Sequence, residues 1–176
     1  MLGPKTKKNL EEAFGGESMA RNKYDYFASA FRKAGYIQIA NIFEETARNE
    51  KEHAKVWAKQ LGLIPAELVE DLKAAIKGEH YENSDMYPRM EKEALAEGHA
   101  DIAKLFKEIG EVEEKHEARY QKLLANLEKG EVFKKSTVKR WKCNNCGYIH
   151  EGTEAPAVCP ACSHPQAYFE IFEETY

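Results

Sequence analysis

Hydrophobic residues recur every three or four positions from the N-terminus to Gly130, and polar residues fill the positions between them. A period near 3.6 residues is typical of amphipathic helices that bury one face. After Gly130 this pattern ends, and short segments with Gly, Pro and Cys follow. The pattern predicts four helices, each ended by a glycine. Their predicted limits are Thr6 or Asn9 to Lys33, Ile37 to Leu61, the residue after Pro65 to Glu97, and Asp101 to Lys129.

Local signals refine these limits. Asn9 and Glu12 have the spacing of a capping box, which favours a helix that starts at Asn9. Pro88 falls inside the third helix and predicts a bend there, because proline lacks the N–H of a helical hydrogen bond. Residues 131–140 carry several Lys and Arg residues and are predicted to be a polar linker. The predicted domains are a helical domain at 1–130, the linker at 131–140, and a small cysteine-containing domain at 141–176.

Glutamate lies in the apolar stripe of all four predicted helices. An isolated buried carboxylate is very costly, so carboxylates in a bundle core are paired or bound to metal. Glu50 and His53 are one helical turn apart, as are Glu113 and His116, so each pair can reach one metal centre from one helix face. Because glutamate is common in this chain, the spacing alone is a weak signal, and a solvated acidic face is the alternative.

The Glu-x-x-His spacing repeats along the chain. The offset in sequence from Glu50 to Glu113 equals the offset from His53 to His116, and the offset from Glu17 to Glu79 is one position shorter. The repeat indicates a duplicated helix pair, each half of which supplies one Glu and one Glu-x-x-His. Carboxylate-rich di-iron bundles need this ligand set, and hard oxygen ligands favour iron or manganese over softer metals.

All four cysteines lie near the C-terminus, as two Cys-x-x-Cys pairs separated by the segment 147–158. This spacing suits one tetrahedral sulfur site. Cys146-Gly147-Tyr148 and the Cys159 to Cys162 segment are similar to the knuckles of rubredoxin, whose backbone N–H groups bond the sulfurs. That similarity favours iron, with a structural zinc ribbon as the alternative. Phe169 and Phe172 are expected to help wrap the sulfurs, and Ser163 stands where positive φ can be needed.

Over essentially its whole length, the sequence resembles the rubrerythrin family. The resemblance rests on the cysteines and on Gly16-Glu17-Ser18-Met19-Ala20, Glu50-Lys51-Glu52-His53, Gly78-Glu79-His80-Tyr81-Glu82, Met86-Tyr87-Pro88 and Glu113-Glu114-Lys115-His116. It implies an all-α ferritin-like four-helix bundle with a small C-terminal rubredoxin-like metal-binding β module. The implied di-iron ligands are Glu17, Glu50, His53, Glu79, Glu82, Glu113 and His116. The implied ligands of a mononuclear iron are Cys143, Cys146, Cys159 and Cys162.

Four residues are candidates for roles in catalysis. In the family, the extra carboxylate, here Glu82, exchanges with a histidine, here His53, when the site changes oxidation state. Tyr24 and Tyr87 fall on or beside the apolar stripe. We interpret each as a core aromatic residue whose hydroxyl bonds a ligand carboxylate.

The resemblance implies a non-haem di-iron peroxidase that reduces hydrogen peroxide to water in oxidative-stress defence. Electrons would come from rubredoxin or an NAD(P)H-dependent reductase and pass through the four-cysteine iron. A homodimer is also implied. The alternatives are a ferroxidase or oxidase that uses dioxygen, and an iron-storage bundle, although storage needs no appended electron-transfer module.

Composition limits the partners and the location that we expect. The formal net charge is −4, which argues against a nucleic-acid partner because phosphates favour a basic face. The first residues lack the apolar segment of a signal peptide, and no stretch approaches membrane-spanning length. We therefore expect a cytoplasmic protein that binds neither nucleic acid nor membrane.

Overall fold

The computed structural model describes residues 2–65 and 67–176. The chain divides after residue 66 into two compact units. The first unit is a pair of helices, α1 (Pro4–Lys33) and α2 (Ile37–Gln60), which we call the first hairpin. Gly35 adopts a φ of 86° between them, a value that is easily reached only without a Cβ atom. The predicted helix end at Lys33 and start at Ile37 are therefore confirmed.

The start of α1 differs from the prediction. The helix begins at Pro4 with Gly3 as its N-cap, so the capping box predicted at Asn9 and Glu12 is wrong, and both residues lie inside the helix. Proline favours the first helical position because its fixed φ suits the helix, and its missing N–H would have no intrahelical partner there.

Aromatic rings and small residues hold the first hairpin together. The Phe43 ring of α2 packs against Phe27 and Phe31 of α1, with both pairs of ring centroids 5.6 Å apart. Small side chains at the buried positions let the helix backbones approach closely. These buried residues are Ala28, Ala40, Ala47, Ala54 and Ala58.

The second unit begins with a helix interrupted by one wide turn. It contains α3 (Leu68–Tyr81), a π-helical segment (Glu82–Met86) and α4 (Tyr87–Ala96), followed by α5 (Ala100–Glu128). Both α3 and α4 pack against α5, and we call these elements the second hairpin. In the π segment, the Tyr87 N–H donates to the Glu82 carbonyl, five residues earlier. The predicted third helix is thus present. The irregularity predicted at Pro88 takes the form of a π turn just before the proline.

A small antiparallel sheet completes the second unit. Its strands are β1 (Lys134–Cys143), β2 (Ile149–Glu154) and β3 (Phe169–Ile171), in the order β2-β1-β3, and a 3-10 turn (Gln166–Tyr168) precedes β3. Trp141 is fully buried in its core, and its indole N–H donates to the Gly152 carbonyl at 2.9 Å. The other buried core residues are Cys143, Ala155, Cys159 and Phe169.

Most of the predicted polar linker at residues 131–140 belongs to a strand, because β1 begins at Lys134. Lys134 pairs with Glu154 across the sheet, and the Lys135 ammonium donates to the Asn126 side chain of α5 at 2.9 Å. The division into domains at 1–130 and 141–176 stays a prediction. Within residues 2–65 and 67–176, no helix is both long and apolar enough to cross a bilayer.

Candidate metal centres

The first hairpin brings three predicted ligands together. Glu50 and His53 lie one turn apart on α2, and Glu17 faces them from α1. His53 Nδ1 is 2.8 Å from Glu50 Oε2 and 3.9 Å from Glu17 Oε2. Each side chain offers one ligand atom to a group whose members all lie within 4.8 Å of one another. A metal ion could therefore bind two carboxylates and one imidazole here.

The second hairpin repeats this arrangement with Glu79, Glu113 and His116. His116 Nδ1 is 2.6 Å from Glu113 Oε2 and 3.6 Å from Glu79 Oε2. Burial raises the pKa of Glu79 above its ordinary value, and the adjacent Glu113 carboxylate raises it further. Each group has hard carboxylate oxygens and an imidazole nitrogen, a donor set that suits iron.

Glu82 lies beside the second group but outside its 4.8 Å cluster. Its carboxylate is close enough to raise the pKa of both Glu79 and Tyr87, although burial is the larger cause for each. In an α-helix, residues five apart point about 140° away from each other. The π turn brings Glu82 and Tyr87 nearly onto one face, because its hydrogen bonds join residues that are five apart.

Tyr87 packs across a glycine of α5. A Cβ atom added to Gly110 would lie 3.2 Å from Tyr87 Cβ, so only glycine leaves the tyrosine its present position. Tyr24 of the first hairpin lies in the aromatic cluster, with its ring centroid 5.8 Å from that of Phe43. A hydrogen bond from either hydroxyl to a ligand carboxylate stays a prediction.

The sequence did not single out Asn83 and Glu117, which connect the π segment to α5. Asn83 Nδ2 donates to Glu117 Oε2 at 2.7 Å and to the Glu79 carbonyl at 2.8 Å. The hydrogen bond from Asn83 is the main reason why the pKa of Glu117 lies below its ordinary value. No spacing rule reveals a pair of residues so far apart in the chain, and the shared face exists only once the helices have packed.

The four cysteine sulfurs form one cluster, with their Sγ atoms all within 4.8 Å of one another. Two of the distances between them, from Cys143 to Cys162 and from Cys146 to Cys159, are 3.7 Å. Metal–sulfur bonds of about 2.3 Å in a tetrahedron place the sulfurs about 3.8 Å apart. The cluster therefore has the dimensions of a tetrahedral metal–thiolate site.

Backbone N–H groups support the sulfurs, as expected for rubredoxin-like knuckles. The His164 N–H bonds the Cys162 sulfur and lowers the pKa of that thiol to about 6. The Tyr148 N–H bonds the Cys146 sulfur, but the neighbouring thiols and burial outweigh it and raise the pKa of Cys146 to about 12. Ser163 adopts a φ of 59°, so the expected positive φ at this position is confirmed.

Of the two phenylalanines expected around the sulfurs, only Phe169 belongs to the buried core that contains them. The ring of Phe172 instead lies under two cationic groups, 4.8 Å from the Arg140 guanidinium carbon and 5.4 Å from the Lys142 ammonium. Such cation–π contacts hold an aromatic ring at the surface.

Comparison with known proteins agrees with both sites. Residues 8–124 match the family model described as rubrerythrin. The chain belongs to the rubrerythrin family. A second model, of the rubredoxin-like domain of rubrerythrin, matches residues 141–170. As a family member, the chain has the rubrerythrin di-iron site and the rubredoxin-like four-cysteine iron site, and the donor groups described above fit both.

Several rubrerythrins are similar over the whole chain. A rubrerythrin of Clostridium perfringens (strain 13 / Type A) is 50% identical, and the match covers 100% of this chain and 98% of that protein. Rubrerythrin-1 of Clostridium acetobutylicum is 49% identical with the same coverage. A solved structure of nigerythrin in a mixed-valence state is 32% identical, covering 98% of this chain and 88% of that one, with a TM-score of 0.36.

Proposed function

We propose that this member of the rubrerythrin family is a non-haem di-iron peroxidase that reduces hydrogen peroxide to water in oxidative-stress defence. The observation that carries the proposal is the combination of two matched Glu/Glu/His groups with a four-sulfur cluster in one chain. Reduction of one peroxide consumes two electrons and two protons and yields two water molecules. Such a reaction needs a centre that releases two electrons and a separate centre that restores them.

The proposed ligands of the di-iron pair are the two Glu/Glu/His groups and Glu82. The chemistry that two bound ferrous ions supply is the transfer of one electron each, which cleaves the O–O bond of peroxide. The protein residues would hold the ions and balance their positive charge. Four carboxylates in the two groups balance two ferrous ions, and Glu82 adds a fifth negative charge beside the second group. A fifth carboxylate binds more strongly as positive charge increases.

Proton delivery is the proposed task of Glu82 and Tyr87. Burial raises the pKa of Tyr87 above its ordinary value, and the Glu82 carboxylate raises it further. A carboxylate next to the peroxide could take up one of its protons and pass that proton to the leaving hydroxide, which would then depart as water, and a tyrosine hydroxyl could orient the carboxylate. The exchange of Glu82 with His53 and the corresponding role of Tyr24 belong to this proposal.

Electron delivery is the proposed task of the four cysteines. A four-sulfur shell fills every position of a tetrahedral metal, so little has to move when the charge on the metal changes. The buried Trp141 and Phe169 exclude water from one side of the shell, while Cys146 is exposed. Exposure of one knuckle gives an external donor, either rubredoxin or an NAD(P)H-dependent reductase, a route to the metal. We also propose a homodimer with a cytoplasmic location.

Anaerobic rapid mixing of the iron-loaded, fully reduced chain with peroxide or with dioxygen tests the function. We expect oxidation to be faster with peroxide, with one peroxide consumed for every two electrons and no hydroxyl radical trapped. Zinc-loaded protein is the matched control, because zinc has no redox chemistry. Faster oxidation by dioxygen would favour an oxidase or ferroxidase, and accumulation of many irons per chain would favour storage; either result would contradict the peroxidase.

A further inference from the structure

The Asn83 side chain ties the π segment to two neighbouring elements. Its amide nitrogen donates both to the Glu79 carbonyl in the last turn of α3 and to the Glu117 carboxylate of α5, at 2.8 and 2.7 Å. Glu82 lies between Glu79 and Asn83 in the chain, so these hydrogen bonds fix the backbone on both sides of it.

Glu117 is the acceptor at the centre of this connection. Besides Asn83, it accepts from His80 Nδ1 at 3.2 Å and from Gln121 Nε2 at 2.9 Å. Only 16% of the Glu117 side chain is exposed, and hydrogen bonds to a charged, partly buried acceptor are stronger than those between neutral groups. One carboxylate therefore links the end of α3, the π segment and the next turn of α5.

The first hairpin lacks both the wide turn and this connection. Pro4–Lys33 is one uninterrupted α-helix. The offset in sequence that relates His53 to His116 places Ala54 at the position of Glu117, and Ala54 is buried. In this chain, the carboxylate therefore accompanies the π segment and is absent from the half of the duplication that has no such segment.

We propose that Asn83 and Glu117 are positioning residues, which hold the π turn open so that Glu82 and Tyr87 stay on one face. This inference rests on the proposed peroxidase function for its activity readout alone. A π turn is rare and less favourable than an α turn. Relaxation to α-helical hydrogen bonds would rotate the residues after the turn by about 100° relative to Glu82.

Exchanging donor and acceptor tests this pair. Asn83→Asp places a second carboxylate against Glu117. We expect kcat for peroxide to fall about tenfold at nearly unchanged KM, which corresponds to the lower end of the contribution of one hydrogen bond to a charged group. In the metal-free full-length chain, hydrogen–deuterium exchange of the amides at 83–87 should become faster. Asn83→Asp combined with Glu117→Gln restores a hydrogen bond with reversed polarity, and it should recover at least half of each loss on a logarithmic scale.

The control is Gln121→Ala, which removes another partner of Glu117 without touching the π segment and should change neither readout. Should Asn83→Asp not fold, as judged by circular dichroism, Asn83→Ala takes its place and should show a smaller loss of the same kind. Unchanged exchange at 83–87, or a double variant as impaired as the single one, would overturn the proposal. If the wild type reduces no peroxide, the peroxidase function fails, while the exchange of the metal-free chain still tests the pair.

Discussion

The two hairpins present nearly the same three candidate ligands in nearly the same way. The Glu to His distance within the α2 pair is 2.8 Å, and within the α5 pair it is 2.6 Å. Each pair faces one further glutamate, from α1 in the first hairpin and from α3 in the second. The hairpins differ in what surrounds these ligands, because only the second one carries a π segment. Glu82 is the first residue of this segment. The offset that relates Glu17 to Glu79 relates Ala20 of the first hairpin to Glu82 of the second.

The π segment also explains an irregularity of the duplication. Tyr24 and Tyr87, which follow Glu17 and Glu79, are one position further apart in the sequence than those two glutamates. The change of offset falls within the segment, where the wide turn accommodates one residue more than an α turn. The first hairpin thus presents only its three candidate ligands. The second hairpin also has a carboxylate, Glu82, and a tyrosine, Tyr87, whose orientation depends on the irregular turn.

The largest effect that we expect comes from removing the histidine of either candidate ligand group. His53→Ala and His116→Ala should each lower peroxide turnover by more than about 100-fold. Mutation of a residue that only hydrogen-bonds a metal ligand costs up to about 100-fold, and loss of a ligand should cost more. The double variant should be no slower than either single one, because residues that act as a unit are not additive. The measurements are peroxide turnover and iron content per chain. The control is His99→Ala, which changes an exposed histidine at the N-cap of α5. A strong loss from only one of the two variants would show that the hairpins are not equivalent.

The cysteine site should matter only for repeated turnover. Cys159→Ser removes one sulfur of the cluster, so turnover driven by NAD(P)H and a reductase should fall to background. Oxidation of the prereduced di-iron site by a single addition of peroxide should be unchanged, because both hairpins are intact. Ser163→Gly is the control: it keeps all sulfurs and should stabilise the fold by about 1 kcal/mol by relieving a positive φ. Loss of single-turnover oxidation with full iron content would refute this division of labour.

Glu82→Ala gives the second hairpin the residue that the first has at the matching position. The ferrous site should still assemble, because both three-ligand groups remain. Turnover should fall about 100-fold, the lower end for loss of a positioned proton carrier, and the oxidised site should lose iron more readily. Steady-state rates and iron content check this, with the exposed Asp85→Ala in the same segment as the control. Full turnover with full iron occupancy would show that Glu82 is a surface residue without a role.

The smallest effect should come from Gly110→Ala. This change also makes the second hairpin more like the first, because the offset that relates His53 to His116 relates the buried Ala47 to Gly110. The new methyl group would lie 3.2 Å from Tyr87 Cβ and would shift the tyrosine by a few tenths of an ångström, so peroxide turnover should fall severalfold. Thermal stability should change little, because a gain of about 1 kcal/mol in helix propensity offsets the strain at Tyr87.

The control for Gly110 is Gly15→Ala, because no atom lies within 4 Å of its added Cβ. It should stabilise the chain by about 1 kcal/mol. Equal gains in stability at both glycines, with unchanged turnover, would contradict a role for Gly110 in placing Tyr87.

Local rules account for the parts of the structure that the sequence predicted. Glycine at a positive φ ends a helix whatever its tertiary surroundings, which is why the helix ends near Gly35 and Gly98 were predictable. The knuckles were predictable because a tetrahedral sulfur site fixes the backbone around each Cys-x-x-Cys. The capping box at Asn9 failed because Pro4 offers an earlier start, and local spacing does not rank the two.

The remaining features depend on packing between segments. Pro88 is compatible with either a bend or a preceding π turn, and contacts with α5 distinguish them. The Asn83–Glu117 hydrogen bond and the strand pairing of Lys134 arise between residues that are far apart in the chain. A prediction from spacing therefore identified side chains that the fold brings together, whereas it did not identify Asn83 and Glu117 beside them.

The π segment also determines where the chain can tolerate a change in length. Deletion of one residue from an ordinary helix rotates everything after it by about 100° relative to everything before it. Loss of the exposed Asp85 would instead convert the wide turn into an α turn, and α4 would keep its face toward α5. The second hairpin should thus survive that deletion with its helix content intact, as circular dichroism would show, whereas deletion of one residue in the middle of α5 should unfold it.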